Sequence, residues 1–285
     1  MILIADSGST KTSWVLADRA GKINNFNSSG INPYFHSSEQ ISESVRSEFI
    51  TIHKINIKEI STVYFYGAGC SSPENIKMVR QGLQNVFEES EIFVTHDLLG
   101  ASRALCGRQK GIAAILGTGS NSCVFDGDKI VHQVSSLGYV LGDEGSGAYL
   151  GKKFLSALIY KEFPTEISNR FYKSFPVNLS EILDHVYRKP NPNRYLASFC
   201  KFIKDEISNP YIEKLVFDSF HDFFKKQIEK YPDHRSIPVH STGSIGFYFS
   251  DILQQVASER KIRLGLITQN PLDGLVQYHL EQSGR

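Results

Sequence analysis

Apolar runs that stop abruptly at small polar residues organise this chain. Residues 2–5 are apolar and stop at Asp6, and the sequence then continues as Ser-Gly-Ser-Thr-Lys-Thr12. Such a run predicts a buried strand feeding a tight loop. Residues 13–17 and 22–26 read as two further strands, joined by the turn residues Asp18-Arg-Ala-Gly21. The second half opens in the same way. Residues 111–116 are apolar and end in Gly117-Thr-Gly-Ser-Asn121. A strand over 122–125, the hairpin signal Asp126-Gly127 and a strand over 129–131 follow. Both halves therefore start as strand, small-residue loop, strand, hairpin, strand, an internal repeat without obvious sequence identity.

Periodicity supplies the rest. Residues 39–53 carry Ile41, Val45, Phe49 and Ile50 at helical spacing. Strands are predicted over 63–66 and 92–94. A helix follows each, one opening at Pro73 and running through Phe87, the other running through Leu98, Ala101 and Leu105. The first half thus reads βββαβαβα, a mostly parallel sheet with helices on it. After the repeated opening, residues from about 146 to 230 read as inserted helices. A strand over 237–242, a helix over 247–257, a short strand near 262–264 and a helix after Pro271 close the chain. The expected division is an α/β domain over 1–110 and a second over 111–285 that carries the insertion.

Composition narrows the class. A chain of 285 residues is long enough for one large or two modest domains. A hydrophobic fraction of 41% is ordinary for a globular protein, and a net charge of +1 gives no reason to expect nucleic acid or an anionic membrane surface. The four cysteines have neither CxxC pairing nor a histidine at metal spacing, so reduced thiols in a cytoplasmic protein are expected. The first apolar run is too short for a signal peptide, and no stretch approaches the roughly 20 apolar residues of a membrane span. The oligomeric state is left open, with a homodimer among the possibilities.

The loops carry the candidate chemistry. Gly8 admits a ligand close to the backbone, neighbouring amides and hydroxyls can ring an anion, and Lys11 adds a point charge. Asp6, at a strand end, is placed to hold a hydrated cation such as Mg²⁺. The plain alternative is a hairpin turn with a solvated aspartate. Asp97 lies where a strand gives way to a helix, so a functional carboxylate and a helix cap look alike there. His96 beside it is either a second candidate base or a packed residue. Asn32 precedes Pro33 and also fits a turn, while Asp143 and Glu144 also fit the acidic start of a helix.

Taken in order, Asp6-Ser-Gly-Ser-Thr-Lys-Thr12, Thr95-His-Asp97, Gly117-Thr-Gly-Ser-Asn121, Leu141-Gly-Asp-Glu-Gly-Ser146 and Ser241-Thr-Gly-Ser-Ile-Gly246 resemble the sugar kinase, Hsp70 and actin superfamily. Within it the chain resembles the BadF/BadG/BcrA/BcrD ATPases, and among these the N-acetylglucosamine kinases. The resemblance implies two ribonuclease H-like, actin-like ATPase domains with a ligand cleft between them, and ATP with Mg²⁺ as cofactors. It implies Asp97 as the base and Asp6 as the residue that holds Mg²⁺ through water. It places ATP phosphates on Gly8, Ser9, Thr10, Lys11, Gly117, Thr118 and Gly119, and adenosine on Gly243, Ser244 and Gly246. It places the sugar on Asn32, Ser120, Asn121, Asp143 and Glu144. The implied activity is phosphoryl transfer from ATP to a hydroxyl of an amino sugar, N-acetylglucosamine first. The alternatives are an activator-type ATPase of the same family and a nucleotide-binding sugar sensor without catalysis. Two departures stand out. The cysteine segment that holds an iron–sulfur cluster in the activators has no counterpart here, and Asp6-Ser-Gly-Ser replaces the commoner Asp-Gly-Gly-Gly.

Overall fold

Leu3, Ile4 and Ala5 are all fully buried, as expected of a strand covered on both faces. The computed structural model describes residues 1–8, 10–18 and 20–283. Its first sheet contains β1 (Ile2–Ser7), β2 (Lys11–Asp18), β3 (Gly21–Ser29), β4 (Thr62–Gly67) and β5 (Glu91–His96), in the order β3-β2-β1-β4-β5. β1 pairs antiparallel with β2 and parallel with β4, and β4 pairs parallel with β5. One face carries α1 (Ser38–Ser44), the π-helical segment Val45–Thr51 and α2 (Pro73–Gln84). Their Ile41, Val45, Phe49, Val79 and Leu83 pack with Leu3, Ala5, Trp14 and Phe65. Trp14 and Phe49 stack at 4.5 Å. The helix expected over 39–53 is thus regular only in its first part.

The second sheet contains β6 (Gly111–Leu116), β7 (Ser120–Phe125), β8 (Ile130–Gln133), β9 (Val239–Thr242) and β10 (Leu264–Thr268). Its order, β10-β9-β6-β7-β8, read from the β8 edge is the first sheet's order repeated: third, second, first, fourth, fifth strand of each half. The repeat seen in the loops therefore extends to the whole topology. α3 (Asp97–Cys106) joins the two halves in sequence. The insertion comprises α4 (Gly138–Leu141), α5 (Gly147–Ile159), α6 (Thr165–Ser174), α7 (Leu179–Tyr187), α8 (Pro192–Ser198), α9 (Cys200–Asp205) and α10 (Pro210–Lys226). Phenylalanines from these helices build a core with Ile112, Ala114 and Leu116.

The expected helix over 247–257 is two helices, α11 (Ser244–Tyr248) and α12 (Ser250–Glu259). The break turns Phe249 into the core while Phe247 and Tyr248 stay exposed. The closing helix, α13 (Leu272–Ser283), belongs with the first unit and not with the second domain expected over 111–285. Its Leu272, Leu275 and Val276 cover Ile4, Val15, Ala17 and Tyr66, the other face of the first sheet. The compact units are residues 1–109, 125–130 and 270–285, and residues 110–124 and 131–269. Among the described residues, no helix is long and apolar enough to cross a membrane.

Candidate active site

In the first unit, parallel pairing aligns Asp6 with Tyr66 and Tyr66 with Thr95, so β1, β4 and β5 end together. Asp6 is the penultimate residue of β1, and Asp97 opens α3 directly after β5. Side chains at the carboxyl ends of parallel strands are where open α/β sheets present ligands. Burial lifts the Asp6 carboxyl to about 7, with a further push from Asp97 and an opposing pull from Lys11. Asp97 is also raised, by burial above all. Two recessed carboxylates, the charge of Asp97 raising Asp6, form a place a divalent cation would relieve. A Mg²⁺ ion that keeps most of its waters needs only one or two protein carboxylates. The donor set fits that ion, which Asp6 would anchor.

The cap of α3 is His96, whose Nδ1 accepts from Leu99 N at 3.2 Å. Asp97 Oδ1 accepts from the next amide, Leu98 N, at 2.8 Å. Burial, and after it Arg103, holds His96 below its usual range.

The first loop is tied at its root. Gly8 N donates to Lys11 O at 3.0 Å, and Thr10 and Lys11 are exposed at the tip. Ser9 lies outside the described residues. Below the tip, the buried Ser7 and Thr12 hydroxyls lie 2.7 Å apart. Ser7 Oγ donates to Ile31 O and accepts from Ile31 N, at 3.1 and 3.0 Å. This knot fixes the segment that carries Asn32, and sequence reasoning missed it. Asn32 is buried, and its Oδ1 accepts from Tyr34 N at 3.0 Å, so the side chain does make a turn. Cys70 is buried near Asp97, its thiol pushed up to about 12.

In the second unit, glycines bring three segments together. Gly243 has φ 117°, and a Cβ there would stand 2.4 Å from Leu116 O. A Cβ on Gly119 would stand 2.9 Å from Asp143 Oδ2. Gly117 O and Thr118 O accept from Gly147 N and Ala148 N at 2.8 and 3.0 Å, which ties the loop to the start of α5. Asp143 is buried at φ 59°, and burial raises its carboxyl while the Ser120 amide lowers it. Glu144 is buried and accepts from Lys226 Nζ at 3.0 Å. Ser120 Oγ accepts from Gln227 Nε2 at 2.9 Å, and Asn121 Oδ1 accepts from Ser122 N at 2.9 Å and Gln133 Nε2 at 3.3 Å.

A cavity of about 510 Å³ lies within this unit. Gly117, Thr118 and Ser244 line it, three of the residues that the sequence assigned to the nucleotide, while Gly243 and Gly246 shape the turn behind it. Its far wall comes from the insertion, with Cys200, Lys201, Lys204 and Asp205. Nothing in the local pattern of α9 singled these out, since lysines and aspartate on a short helix also suit a solvated face.

The chain matches no protein-family model and no curated protein. It is similar to a solved structure from Porphyromonas gingivalis, provisionally named an N-acetylglucosamine kinase. That likeness has 42% identity and a TM-score of 0.96, over 99% of this chain and 100% of the other. A protein from Chromobacterium violaceum with the same provisional name has 16% identity and a TM-score of 0.72, over 98% and 99%. A ROK family glucokinase from Streptomyces griseus, solved with glucose and AMPPNP, has 13% identity and a TM-score of 0.55, over 97% of each chain. The last two likenesses carry the fold alone.

Proposed function

This chain belongs to the N-acetylglucosamine kinase group of the BadF/BadG/BcrA/BcrD ATPases, in the sugar kinase and actin-like ATPase superfamily, and from that premise we propose that it transfers the γ-phosphoryl group of ATP to a hydroxyl of an amino sugar, N-acetylglucosamine first. The observation that carries the reading is the pair Asp6 and Asp97, two recessed carboxylates at the ends of parallel strands, each with raised proton affinity. Asp97 accepts the proton of the sugar hydroxyl as its oxygen bonds to the γ-phosphorus. The bond from that phosphorus to the β–γ bridging oxygen breaks, and ADP leaves. A carboxylate whose proton affinity burial has raised suits a general base near neutral pH. Asp6 would hold Mg²⁺ through water, and the bound ion would supply positive charge to the phosphates. Most of the remaining catalysis is positioning.

Gly8, Ser9, Thr10 and Lys11 in the first unit, and Gly117, Thr118 and Gly119 in the second, are assigned to the phosphates. The cavity beside Ser244 takes the nucleoside. Asp143 and Asn121, with Asn32, are assigned to sugar hydroxyls. A carboxylate suits this task because it accepts from two donors at fixed geometry. The test is ADP release on a panel of amino sugars, N-acetylglucosamine, glucosamine and N-acetylmuramic acid among them. The reading requires release that depends on the sugar.

A further inference from the structure

The C-terminal end of α10 grips two segments of the proposed sugar site. Gly145 has φ 78°, and a Cβ there would stand 2.8 Å from Phe223 Cβ, so α10 seats directly on this turn. Three residues on, on the same helix face, Lys226 Nζ donates to Glu144 Oε1 at 3.0 Å. The next residue, Gln227, donates through Nε2 to Ser120 Oγ at 2.9 Å and accepts at Oε1 from Ser122 Oγ at 3.1 Å. One helix end thus holds both the 143–146 turn and the start of β7. Asp143 stands between them, close against Gly119, with Ser146 N donating to its carbonyl at 3.0 Å. Its φ of 59° is a left-handed conformation that a non-glycine residue keeps only when its surroundings hold it.

The ion pair is unequal. The Glu144 side chain is 8% exposed and that of Lys226 56%. A buried carboxylate stripped of its partner pulls toward water, whereas an exposed pair contributes little. Pulling Glu144 outward would turn the adjoining Asp143.

We propose that Lys226 is a positioning residue for the sugar: its bond to Glu144, with Phe223 seated on Gly145, fixes the turn that presents Asp143. Glu144 then acts through the turn and does not touch the substrate. This rests on the amino-sugar kinase reading above.

The test measures sugar KM, ATP KM and kcat for the wild type, Lys226→Met and Lys226→Arg, using the panel sugar that the wild type accepts best. Lys214→Met, which removes an exposed lysine paired with Asp218 on the same helix, serves as control. Lys226→Met is expected to raise sugar KM about tenfold, within the range of a lost charged hydrogen bond, and to change ATP KM and kcat by less than about twofold. Lys226→Arg should restore most of the loss, and Lys214→Met should match the wild type. An unchanged sugar KM in Lys226→Met, or an equal rise in sugar and ATP KM, overturns the inference. If Lys226→Met is too unstable to assay, Lys226→Gln, which keeps a neutral donor, carries the same comparison. A wild type that phosphorylates no panel sugar overturns the kinase reading itself, a result distinct from normal turnover with an indifferent Lys226.

Discussion

The charge of Asp97 at the start of α3 helps to raise the proton affinity of Asp6 at the end of β1. Burial is the larger cause, and Lys11 at the loop tip opposes both. Without a cation, the protein therefore holds an unfavourable pair of carboxylates where the reading places Mg²⁺.

This pair makes stability depend on pH. The folded Asp6 carboxyl titrates near 7 against an ordinary value of 3.8, so between those values the folded state holds a proton that the unfolded chain has lost. The stabilising effect of that proton is complete at low pH and fades as pH rises toward 7. Asp6→Asn removes the linkage. The variant's melting temperature, measured without metal, should gain on the wild type from pH 4 to pH 7 and stay level above that. Adding Mg²⁺ should raise the wild type at pH 8 and leave Asp6→Asn unmoved. Parallel curves for the two proteins would show that Asp6 is not the strained group.

Asp97→Asn keeps the shape and the acceptor for Leu98 N but cannot take a proton. Its kcat should fall by roughly 10²–10⁴ while ATP affinity stays close to normal. Stopped-flow or quench kinetics with saturating sugar and nucleotide would decide, and turnover within a few-fold of the wild type would remove Asp97 from the chemistry. The fold should survive, because His96 and not Asp97 caps α3.

Gly119→Ala and Gly243→Ala should fail in different ways. At Gly119 the added Cβ meets the movable end of the Asp143 side chain, so the protein should fold with a raised sugar KM. At Gly243 it meets the Leu116 carbonyl at 2.4 Å in a left-handed conformation, so stability should drop by about 1–3 kcal/mol or more. Urea unfolding beside steady-state kinetics separates the two. Equal stability losses would mean that Asp143 cannot move aside.

Ser7→Ala removes one hydroxyl from the knot under the first loop and strands Ile31 N in a buried place. A loss of about 1–3 kcal/mol is expected in urea unfolding, the usual result of an unsatisfied buried donor. The loss should come with a raised KM for ATP, because the loop root loosens. Unchanged ATP affinity at reduced stability would confine Ser7 to a structural role.

Much of this was legible from short-range pattern. The runs ending at Asp6 and Leu116 announced two strand-to-loop junctions, since a strand buried on both faces must be apolar and a close approach must be glycine. The same sheet order in both halves follows from that repeated opening. Long-range partners were not legible. The apolar spacing of Leu272, Leu275 and Val276 says that a helix buries a face, but not that this face lies on the first sheet. Glu144 and Lys226 are 82 positions apart, and an acidic residue at a helix start looks alike whether it meets substrate or a lysine. His96 as the cap of α3 was hidden because aspartate is the commoner cap and stood next to it.

The most direct measurement is transfer of labelled γ-phosphate from ATP to N-acetylglucosamine and related amino sugars, run with Mg²⁺ on the wild type and Asp97→Asn. The account predicts a labelled sugar phosphate, formed in step with ADP by the wild type and at least a hundredfold more slowly by the variant. ATP hydrolysis that no sugar stimulates, leaving the label in inorganic phosphate and equal in both proteins, would contradict it.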